Sequence, residues 1–409
     1  MRLKVPQLCW YEKTDLELTF PDSWNVEFRQ MKGHDNLKIS PDEIRTSLSN
    51  PIGTAPICEL ARGKKKVVII FDDMTRPTRT SEIVPFVLEE LQVAGIQDGQ
   101  IRFICALGAH GVLTLEAFQK KLGLDIPARF PVYNHNVYDN CVSIGTTSQG
   151  TPIAINKEVM ACDLKIAIGS IVPHVFTGFG GGSKIILPGV SSIETIVANH
   201  RQAARGDQLL SIMGTEPKGN PMMADMEEAA KLACLDIKID ALINTWGEST
   251  HLFVGDPIAE YYAGVKVAKE VYATEKVKDA DIVIANSYAK ANEGSLAMSN
   301  GVKSLKEEGG DMVIIANAPD GQVTHYVYGP FGNESLGRLA VKRKSKPRRV
   351  NNIIIFTQNI DIASGSWYGP PEKITWAKTW DDVLKNLDQN KEPKVAVYPD
   401  LTIQYFTKL

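Results

Sequence analysis

Residues 67–77 have the sequence VVIIFDDMTRP, in which an apolar, mostly β-branched run stops at two aspartates. A short apolar run bounded by charge is typical of a buried strand. A helical pattern follows over residues 81–95, with apolar side chains on one side and Gly95 as its stop, and a second apolar run occupies residues 102–107. This alternation of strands and helices predicts a layered α/β domain.

A second series of apolar runs predicts another α/β domain in the last third of the chain. Helical stretches separate several of these runs, which is again the pattern of a layered domain. The runs are DIVIA at 281–285, DMVIIA at 311–316, NIIIF at 352–356 and KVAVY at 394–398. A length of 409 residues also exceeds one ordinary core. We therefore predict two α/β domains, 1–270 and 271–409.

The composition is that of a globular protein, with 44% hydrophobic residues, 23% charged residues and a net charge of −3. A nucleic-acid partner is not expected, because neutralising many phosphates needs a basic surface. Basic residues crowd together at 342–349, where Ser345 and Pro347 interrupt the run. We interpret that segment as a solvated loop.

The six cysteines include no Cys-x-x-Cys pair, so the sequence suggests neither a structural zinc site nor a redox motif. No signal peptide is visible after Met1, and no run approaches the roughly 20 apolar residues of a membrane span. A cytoplasmic protein without a membrane partner is the resulting expectation.

Polar residues follow two of the predicted strands of the first domain. Asp72, Asp73 and Arg76 come directly after the run VVIIF, and His110 lies in the segment GAHG at 108–111, after the next run. Ligands bind at the carboxyl ends of strands in a parallel sheet, and the guanidinium fork suits a carboxylate or phosphate. Taken singly, the alternatives are a solvated turn with a local Asp–Arg pair and a structural histidine.

Residues 173–189, PHVFTGFGGGSKIILPG, form the most distinctive segment. Its glycines let the backbone approach a ligand, and successive N–H groups can line an anion. The segment is not a P-loop, because Ser183 precedes Lys184 and Ile185 follows it, so kinase or nucleotidase chemistry is not supported. A flexible surface hinge is the alternative, but the neighbouring apolar side chains favour a packed loop.

Three histidines, His110, His174 and His200, lie at the ends of predicted strands or helices. His200 closes a helical pattern over 194–201 and could bind a metal through its neutral imidazole, although alone it would be interpreted as structural. The spacing does not make a three-histidine zinc site. Two histidines on opposite sides of a substrate would instead suit inversion at a carbon, which needs one base per face.

These segments resemble the nickel-dependent lactate racemase family. The matching segments are DDMTRP at 72–77, GAH at 108–110, PHVFTGFGGGSKIILPG at 173–189 and ANH at 198–200, and their order and separations also fit. The resemblance implies two α/β domains with the active site in the cleft between them. It also implies racemisation or epimerisation of a 2-hydroxy acid.

The resemblance implies a role for each matched residue. Lys184 would carry a nickel-pincer nucleotide, the nickel complex of pyridinium-3,5-bisthiocarboxylic acid mononucleotide, in an amide-like bond. His200 would ligate the nickel, His110 and His174 would be the acid/base pair, and Arg76 would hold the substrate. The residues expected to bind the cofactor are Lys184, Gly180, Gly181, Gly182, Ser183 and Asp73.

The mechanism implied by the resemblance is a hydride shuttle. One histidine would remove the hydroxyl proton while the hydrogen at C2 leaves as hydride to the cofactor ring, so that a 2-oxo acid forms briefly. This route fits the chemistry, because removing that hydrogen as a proton beside a carboxylate is difficult. The expected partners are a small 2-hydroxy acid and the proteins that make and load the cofactor.

The second domain departs from the lactate-specific members. Their Tyr-Gln-x-x-Lys segment aligns with SNGVK at 299–303, where Lys303 keeps the cation and Asn300 is a smaller polar residue. Substrate binding is accordingly expected from Arg76, Asn300 and Lys303. A roomier and more polar pocket favours a substrate larger than lactate, such as a sugar acid. A ligand without hydroxyl groups would leave polar groups of the pocket without hydrogen-bond partners and would therefore bind less well.

Two other function classes remain open on the residues alone. The first is a metal-dependent hydrolase or lyase for a small anionic substrate, using Asp72, Asp73, His110 and His174. The second is a non-catalytic module that binds an anion through the glycine loop and Arg76. The first would not need Lys184, and the second would tolerate replacement of both histidines.

Overall fold

The computed structural model describes residues 1–12, 14–202, 212–328, 348–387 and 392–407. Apart from Arg348 and Arg349, the basic run interpreted as a solvated loop lies outside the described residues. The chain forms two compact units. We call Asn36–Val271 the central unit, and Met1–Asp35 together with Tyr272–Leu409 the terminal unit.

The described residues contain the following strands and α-helices. The strands are β1 Arg2–Gln7, β2 Thr14–Thr19, β3 Asn25–Phe28, β4 Val67–Asp72, β5 Ile101–Ala106, β6 Val132–Asn134, β7 Cys141–Thr146, β8 Pro152–Asn156, β9 Leu164–Ser170, β10 Pro173–His174, β11 Gly178–Phe179, β12 Ile237–Ile243, β13 Ser249–Gly255, β14 Ala273–Thr274, β15 Ile282–Asn286, β16 Gly310–Ile315, β17 Val350–Phe356, β18 Ile374–Ala377, β19 Lys394–Tyr398 and β20 Tyr405–Phe406. The helices are α1 Pro41–Ser49, α2 Ile57–Leu60, α3 Thr80–Val93, α4 Leu115–Leu122, α5 Asp125–Arg129, α6 Lys157–Met160, α7 Ile193–His200, α8 Pro221–Leu232, α9 Ala259–Val271, α10 Ser295–Gly301 and α11 Trp380–Lys385. None of these described helices is long and apolar enough to cross a membrane.

The central unit is built on a sheet whose described strands have the order β13-β12-β9-β4-β5-β6. All neighbours are parallel except β12 and β13. Strand β4 is the centre, because Val67–Phe71 pairs with β5 on one side and with β9 on the other. Every residue of β4 is buried, which explains an apolar run without alternation. The predicted α/β class is confirmed.

Strand order in this sheet creates a switch point beside β4. From β4 the chain moves to β5 and then β6 on one side, whereas β9 and β12 lie on the other side. The segments that leave the carboxyl ends of β4 and β9 therefore begin next to each other and diverge. Ligand sites of open α/β sheets lie at such a point. The segments after β4, β5 and β9 contain the site residues predicted for this unit.

The terminal unit has its own sheet, with the order β18-β17-β16-β15-β19-β3 and parallel pairing throughout its described strands. Alternate residues of β15 lie in different core clusters, so both faces of the sheet are covered. The sequence analysis placed residues 1–35 in the first domain, but the structure places them here because Asn25–Phe28 pairs with β19. The expected division at residue 270 lies one residue from Val271.

Candidate active site

Two buried charges hold the segment that follows β4. The Asp72 carboxylate lies 2.6 Å from the Lys121 ammonium and also accepts a hydrogen bond from the Thr78 hydroxyl. Lys121 is fully buried in α4 and donates to the carbonyls of Asp73, at 3.0 Å, and Arg76, at 2.8 Å. Burial raises the pKa of Asp72, and Lys121 opposes that rise. Lys121 thus fixes the backbone of this segment at Asp73 and Arg76.

Sequence reasoning missed Lys121, although a pattern pointed to it. Phe118, Lys121 and Leu122 share one face of α4 by their i, i+3 and i+4 spacing, and all three are buried. A lysine on the apolar face of an amphipathic helix needs a buried partner. The Asp72 carboxylate at the end of β4 is the acidic group that it meets.

Asp73 orients His110. Its Oδ2 lies 2.6 Å from His110 Nδ1, and its Oδ1 accepts hydrogen bonds from the Thr75 amide and hydroxyl at 2.9 and 2.5 Å. Burial alone would raise the pKa of Asp73, but His110, Arg76 and Thr75 lower it well below its usual range. An ionised carboxylate at Nδ1 keeps the imidazole proton there and leaves the lone pair of the neutral ring on Nε2.

Arg76 lies half-buried beside this pair. Its guanidinium donates to the Thr75 carbonyl at 3.0 Å and to the Thr75 hydroxyl at 2.8 Å. Thr75 therefore contacts both Asp73 and Arg76, so the arginine is held close to the orienting carboxylate. A guanidinium with a fixed stem is suited to bind a carboxylate in two-point fashion.

His174 lies in the tight hairpin formed by β10 and β11. Its Nδ1 is 3.0 Å from the Thr177 hydroxyl and 3.2 Å from the Phe176 amide nitrogen. The Phe176 ring lies edge-on to two imidazoles, with centroid distances of 6.0 Å to His174 and 6.3 Å to His200. Phe176 thus connects the hairpin to α7, whose last residue is His200.

The glycine loop is built to pack against the protein. Gly181 and Gly182 have positive φ values of +96° and +54°. A Cβ on Gly181 would lie 2.9 Å from Asp240 Oδ2, and a Cβ on Gly182 would lie 2.7 Å from the Tyr261 ring. The Gly182 amide donates to Asp240 at 2.5 Å. These two glycines are therefore required by β12 and α9, whereas a Cβ on Gly180 would lie 4.0 Å from Lys184 Cε.

A group of buried charges that could not be predicted from the sequence lies under that loop. Lys238 forms a buried ion pair with Asp240, which in turn accepts the Gly182 amide. A Cβ on Gly169 would lie 3.0 Å from Lys238 Nζ, 3.1 Å from Asp240 Oδ1 and 3.4 Å from Asp72 Oδ2. The segment after β4 and the glycine loop therefore rest on one group of buried charges.

His200 has the chemistry of a metal ligand. It is 7% exposed, and its Nδ1 lies 2.9 Å from the Ile196 carbonyl, which can only accept a hydrogen bond. The proton is thus on Nδ1 and the lone pair on Nε2. Burial first, and nearby Lys184 second, lower the pKa of His200 to about 4. A neutral imidazole held by its other nitrogen suits a borderline metal such as nickel.

Lys184 and Ser183 complete the fit for the expected cofactor. Both lie in a short 3-10 turn over Gly182–Ile185, and the Lys184 charge is close enough to His200 to lower its pKa. The Ser183 hydroxyl is buried without a hydrogen-bond partner among the described residues. An amine for attachment, a neutral imidazole and an orphaned hydroxyl fit a polar, metal-bearing group at this place.

Asn300 and Lys303 lie together in the terminal unit. Asn300 is fully buried, its amide nitrogen donates to the Gln404 carbonyl at 2.8 Å, and its oxygen accepts from Lys303 at 3.2 Å. Burial first, and Lys276 second, lower the pKa of Lys303. The Asn300 side chain is therefore engaged by its own unit through both its amide nitrogen and its oxygen.

Comparison with known proteins gives consistent matches. The family model for the lactate racemase N-terminal domain matches residues 11–209. Lactate racemase from Thermoanaerobacterium thermosaccharolyticum is 32% identical over 367 residues, covering 87% of this chain and 82% of that protein. Lactate racemase from Lactiplantibacillus plantarum is 33% identical over 297 residues, covering 69% and 68%.

Solved structures agree with the sequence matches. The lactate racemase apoprotein from T. thermosaccharolyticum superimposes with a TM-score of 0.74 at 26% identity, covering all of both chains. A crystal structure of a Thermotoga maritima protein gives a TM-score of 0.66 at 18% identity, covering 91% of this chain and all of that one. At 18% identity, the match to the T. maritima protein shows similarity of fold alone.

Replacing Lys121 by methionine should destabilise the central unit in a pH-dependent way. Removing one partner of a buried ion pair costs about 3–5 kcal/mol, because the other charge stays buried. Burial raises the pKa of Asp72 and Lys121 is the main group that opposes this rise, so in the variant the folded state holds a proton that the unfolded state releases. Stability is then lost as pH rises from the unfolded pKa through the folded one. Urea unfolding at pH 5 and pH 8 measures this loss.

The matched control for that variant is Lys120→Met on the same helix. Lys120 pairs with Glu116 at the surface, so its loss should change the free energy of unfolding by about 1 kcal/mol or less at both pH values. Equal losses for Lys121→Met at pH 5 and pH 8 would show that the Asp72 charge is not what Lys121 stabilises.

Proposed function

The chain belongs to the lactate racemase family, and from this premise we propose that it is a racemase or epimerase that inverts C2 of a 2-hydroxy acid. The observation that carries the proposal is the pair of oriented imidazoles at one sheet edge. His110 follows β5 and His174 follows β9, on the two sides of β4. Inversion needs an acid/base group for each face of the carbon, and this pair supplies two.

Each polar residue near β4 has a step in the proposed reaction. Arg76 binds the substrate carboxylate through its guanidinium fork. His110, with its proton on Nδ1 held by Asp73, accepts the hydroxyl proton of one enantiomer at Nε2. His174 does the same for the other enantiomer. The histidine that did not accept the proton donates one, so that the hydroxyl group is restored on the inverted carbon.

The cofactor residues of the proposal are Lys184 and His200. Lys184 would hold a nickel-pincer nucleotide covalently, and His200 Nε2 would ligate its metal. When bound, that group supplies the hydride acceptor and donor that lets C2–H leave and return. His200 supports this role through its buried, neutral ring and its Nδ1 bond to the Ile196 carbonyl.

The hydrolase or lyase alternative is weakened by how the carboxylates are used. Asp72 is paired with Lys121, and Asp73 with His110. Within the described ranges, no group of three His, Cys, Asp or Glu side chains could hold a metal ion. A simple anion-binding module would have no need of a carboxylate behind His110. Neither alternative is therefore favoured by a specific contact.

Replacing His110 or His174 by alanine should each lower racemisation by about 10²–10⁴-fold or more, because each removes one acid/base group. The surface variant His34→Ala is the matched control, since His34 is 39% exposed as a side chain. Loss of optical purity, starting from either enantiomer, is the measurement. Full activity of either site variant would exclude the two-base mechanism.

Replacing Lys184 by alanine should abolish covalent retention of the cofactor, and replacing His200 by alanine should weaken retention of nickel. The protein is produced together with the proteins that make and load the cofactor, and intact mass and nickel content are measured on the same sample. The wild-type chain should carry extra mass mapped to Lys184. Lys184→Ala should lack it, and His200→Ala should lose nickel by roughly tenfold or more.

Lys218→Ala, in an exposed loop, is the control for these two variants and should retain both mass and nickel. An unmodified wild-type chain, in a preparation where a known family member loads normally, would contradict the cofactor assignment.

We propose further that the substrate is larger or more polar than lactate, with Lys303 binding an anionic group of it. The proposal rests on the segment 299–303, where small polar residues replace the tyrosine and glutamine expected for lactate. A polyhydroxylated 2-hydroxy acid should exceed lactate in kcat/KM by roughly tenfold or more, because unpaired polar groups reject ligands without hydroxyls.

The matched comparison for the substrate is a 2-hydroxy acid of the same chain length without the additional hydroxyl groups. It separates the effect of polarity from that of size. Higher kcat/KM for lactate than for both longer acids would overturn the proposed substrate class and leave the racemase assignment intact.

A further inference from the structure

Nδ1 of His174 has two polar neighbours, and only one of them restricts its protonation state. The Phe176 amide nitrogen lies 3.2 Å away and can only donate. The Thr177 hydroxyl lies 3.0 Å away and can donate or accept. If the hydrogen bond from the Phe176 amide determined the tautomer, Nδ1 would carry the lone pair and the neutral ring would carry its proton on Nε2. Such a ring cannot accept a proton at Nε2.

Thr177 is able to favour the other tautomer. Its hydroxyl donates to the Phe179 carbonyl at 2.7 Å, so an oxygen lone pair is available toward His174. If Nδ1 carries the proton, it donates to the Thr177 oxygen while the Thr177 hydroxyl donates to the Phe179 carbonyl, and this pairing must outweigh the loss of Nδ1 as acceptor for the Phe176 amide. In this arrangement Nε2 holds the lone pair when the ring is neutral and a proton when the ring is charged.

The hairpin holds this chain of donors firmly. Thr177 is fully buried, and the Phe179 carbonyl also accepts the Tyr261 hydroxyl at 3.0 Å. Asn220 donates to the Phe176 carbonyl at 2.8 Å, which fixes the peptide that precedes Thr177. The Thr177 hydroxyl therefore has a fixed acceptor on one side and a fixed imidazole on the other.

We propose that Thr177 is a positioning residue that keeps the proton of neutral His174 on Nδ1 and so makes Nε2 a base. This inference rests on the proposed acid/base role of His174. It gives the two histidines different supports. His110 is oriented by the Asp73 carboxylate, whereas His174 is oriented by a hydroxyl.

The first test is nitrogen NMR of the full chain labelled with ¹⁵N-histidine, without added ligand. His174 is assigned by the resonances that disappear in His174→Asn, and pH is raised until its ring is neutral. The proton should be on Nδ1 in the wild-type chain and in Thr177→Ser. It should move to Nε2 in Thr177→Val, because the Phe176 amide still donates to Nδ1 and the hydroxyl that opposes this donation is gone.

The control is Thr274→Val, which removes a buried hydroxyl from the terminal unit and should leave the His174 tautomer as it is. The wild-type spectrum alone is decisive even if the valine variant does not fold. A proton on Nε2 of His174 in the wild-type chain overturns the proposal, as does an unchanged tautomer in folded Thr177→Val.

The second test is the rate of the cofactor-loaded enzyme. Thr177→Val should lower kcat by roughly 10²–10⁴-fold with KM within a few-fold, as expected when a catalytic histidine is held in the wrong tautomer. Thr177→Ser should stay within about tenfold of the wild type. If the wild-type chain does not racemise at all, the proposed function fails, while the NMR measurement still decides the role of Thr177.

Discussion

Buried charge at the carboxyl edge of the central sheet must be neutralised by other buried charge, and the site depends on this constraint. A buried carboxylate without a partner is costly, so Asp72 requires Lys121. Because Lys121 also binds two carbonyls of the same segment, compensation of the charge fixes the backbone at Asp73. The position of His110 follows, since Asp73 holds its ring.

The same constraint reaches the glycine loop through a different pair. Asp240 is neutralised by Lys238 and accepts the Gly182 amide, and both charged groups come within 3.1 Å of where a Cβ on Gly169 would be. Asp72 borders the same point. The loop that carries Lys184 and the segment that carries Asp73 are thus supported by one group of buried charges. A change in either ion pair would therefore alter the packing of both segments.

Much of this site could be predicted from local sequence, and some of it could not. The run VVIIF predicted a buried strand, which is confirmed, and a candidate site at its end, because a buried strand and its polar end are adjacent in the chain. The roles of Asp240 and Thr177 could not be predicted from local sequence. Asp240 accepts the amide of Gly182, which lies in a distant segment. The role of Thr177 depends on the orientation of one hydroxyl group. Strand β3, NVEF at 25–28, is short and half-exposed, so the sequence showed no reason to place residues 1–35 in the terminal unit.

The anchors of the imidazoles explain how similar side chains can serve different steps. His110, His174 and His200 are all held at Nδ1, by a carboxylate, a hydroxyl and a backbone carbonyl respectively. A carboxylate stabilises the charged ring, whereas a buried carbonyl fixes a neutral ring that suits a metal. His135 contrasts with them, because both of its ring nitrogens bond to buried groups of the fold, Ser191 and Asn156. The chemical class of the anchor, more than the histidine itself, therefore distinguishes the histidines for which we propose acid/base and ligand roles from the structural one.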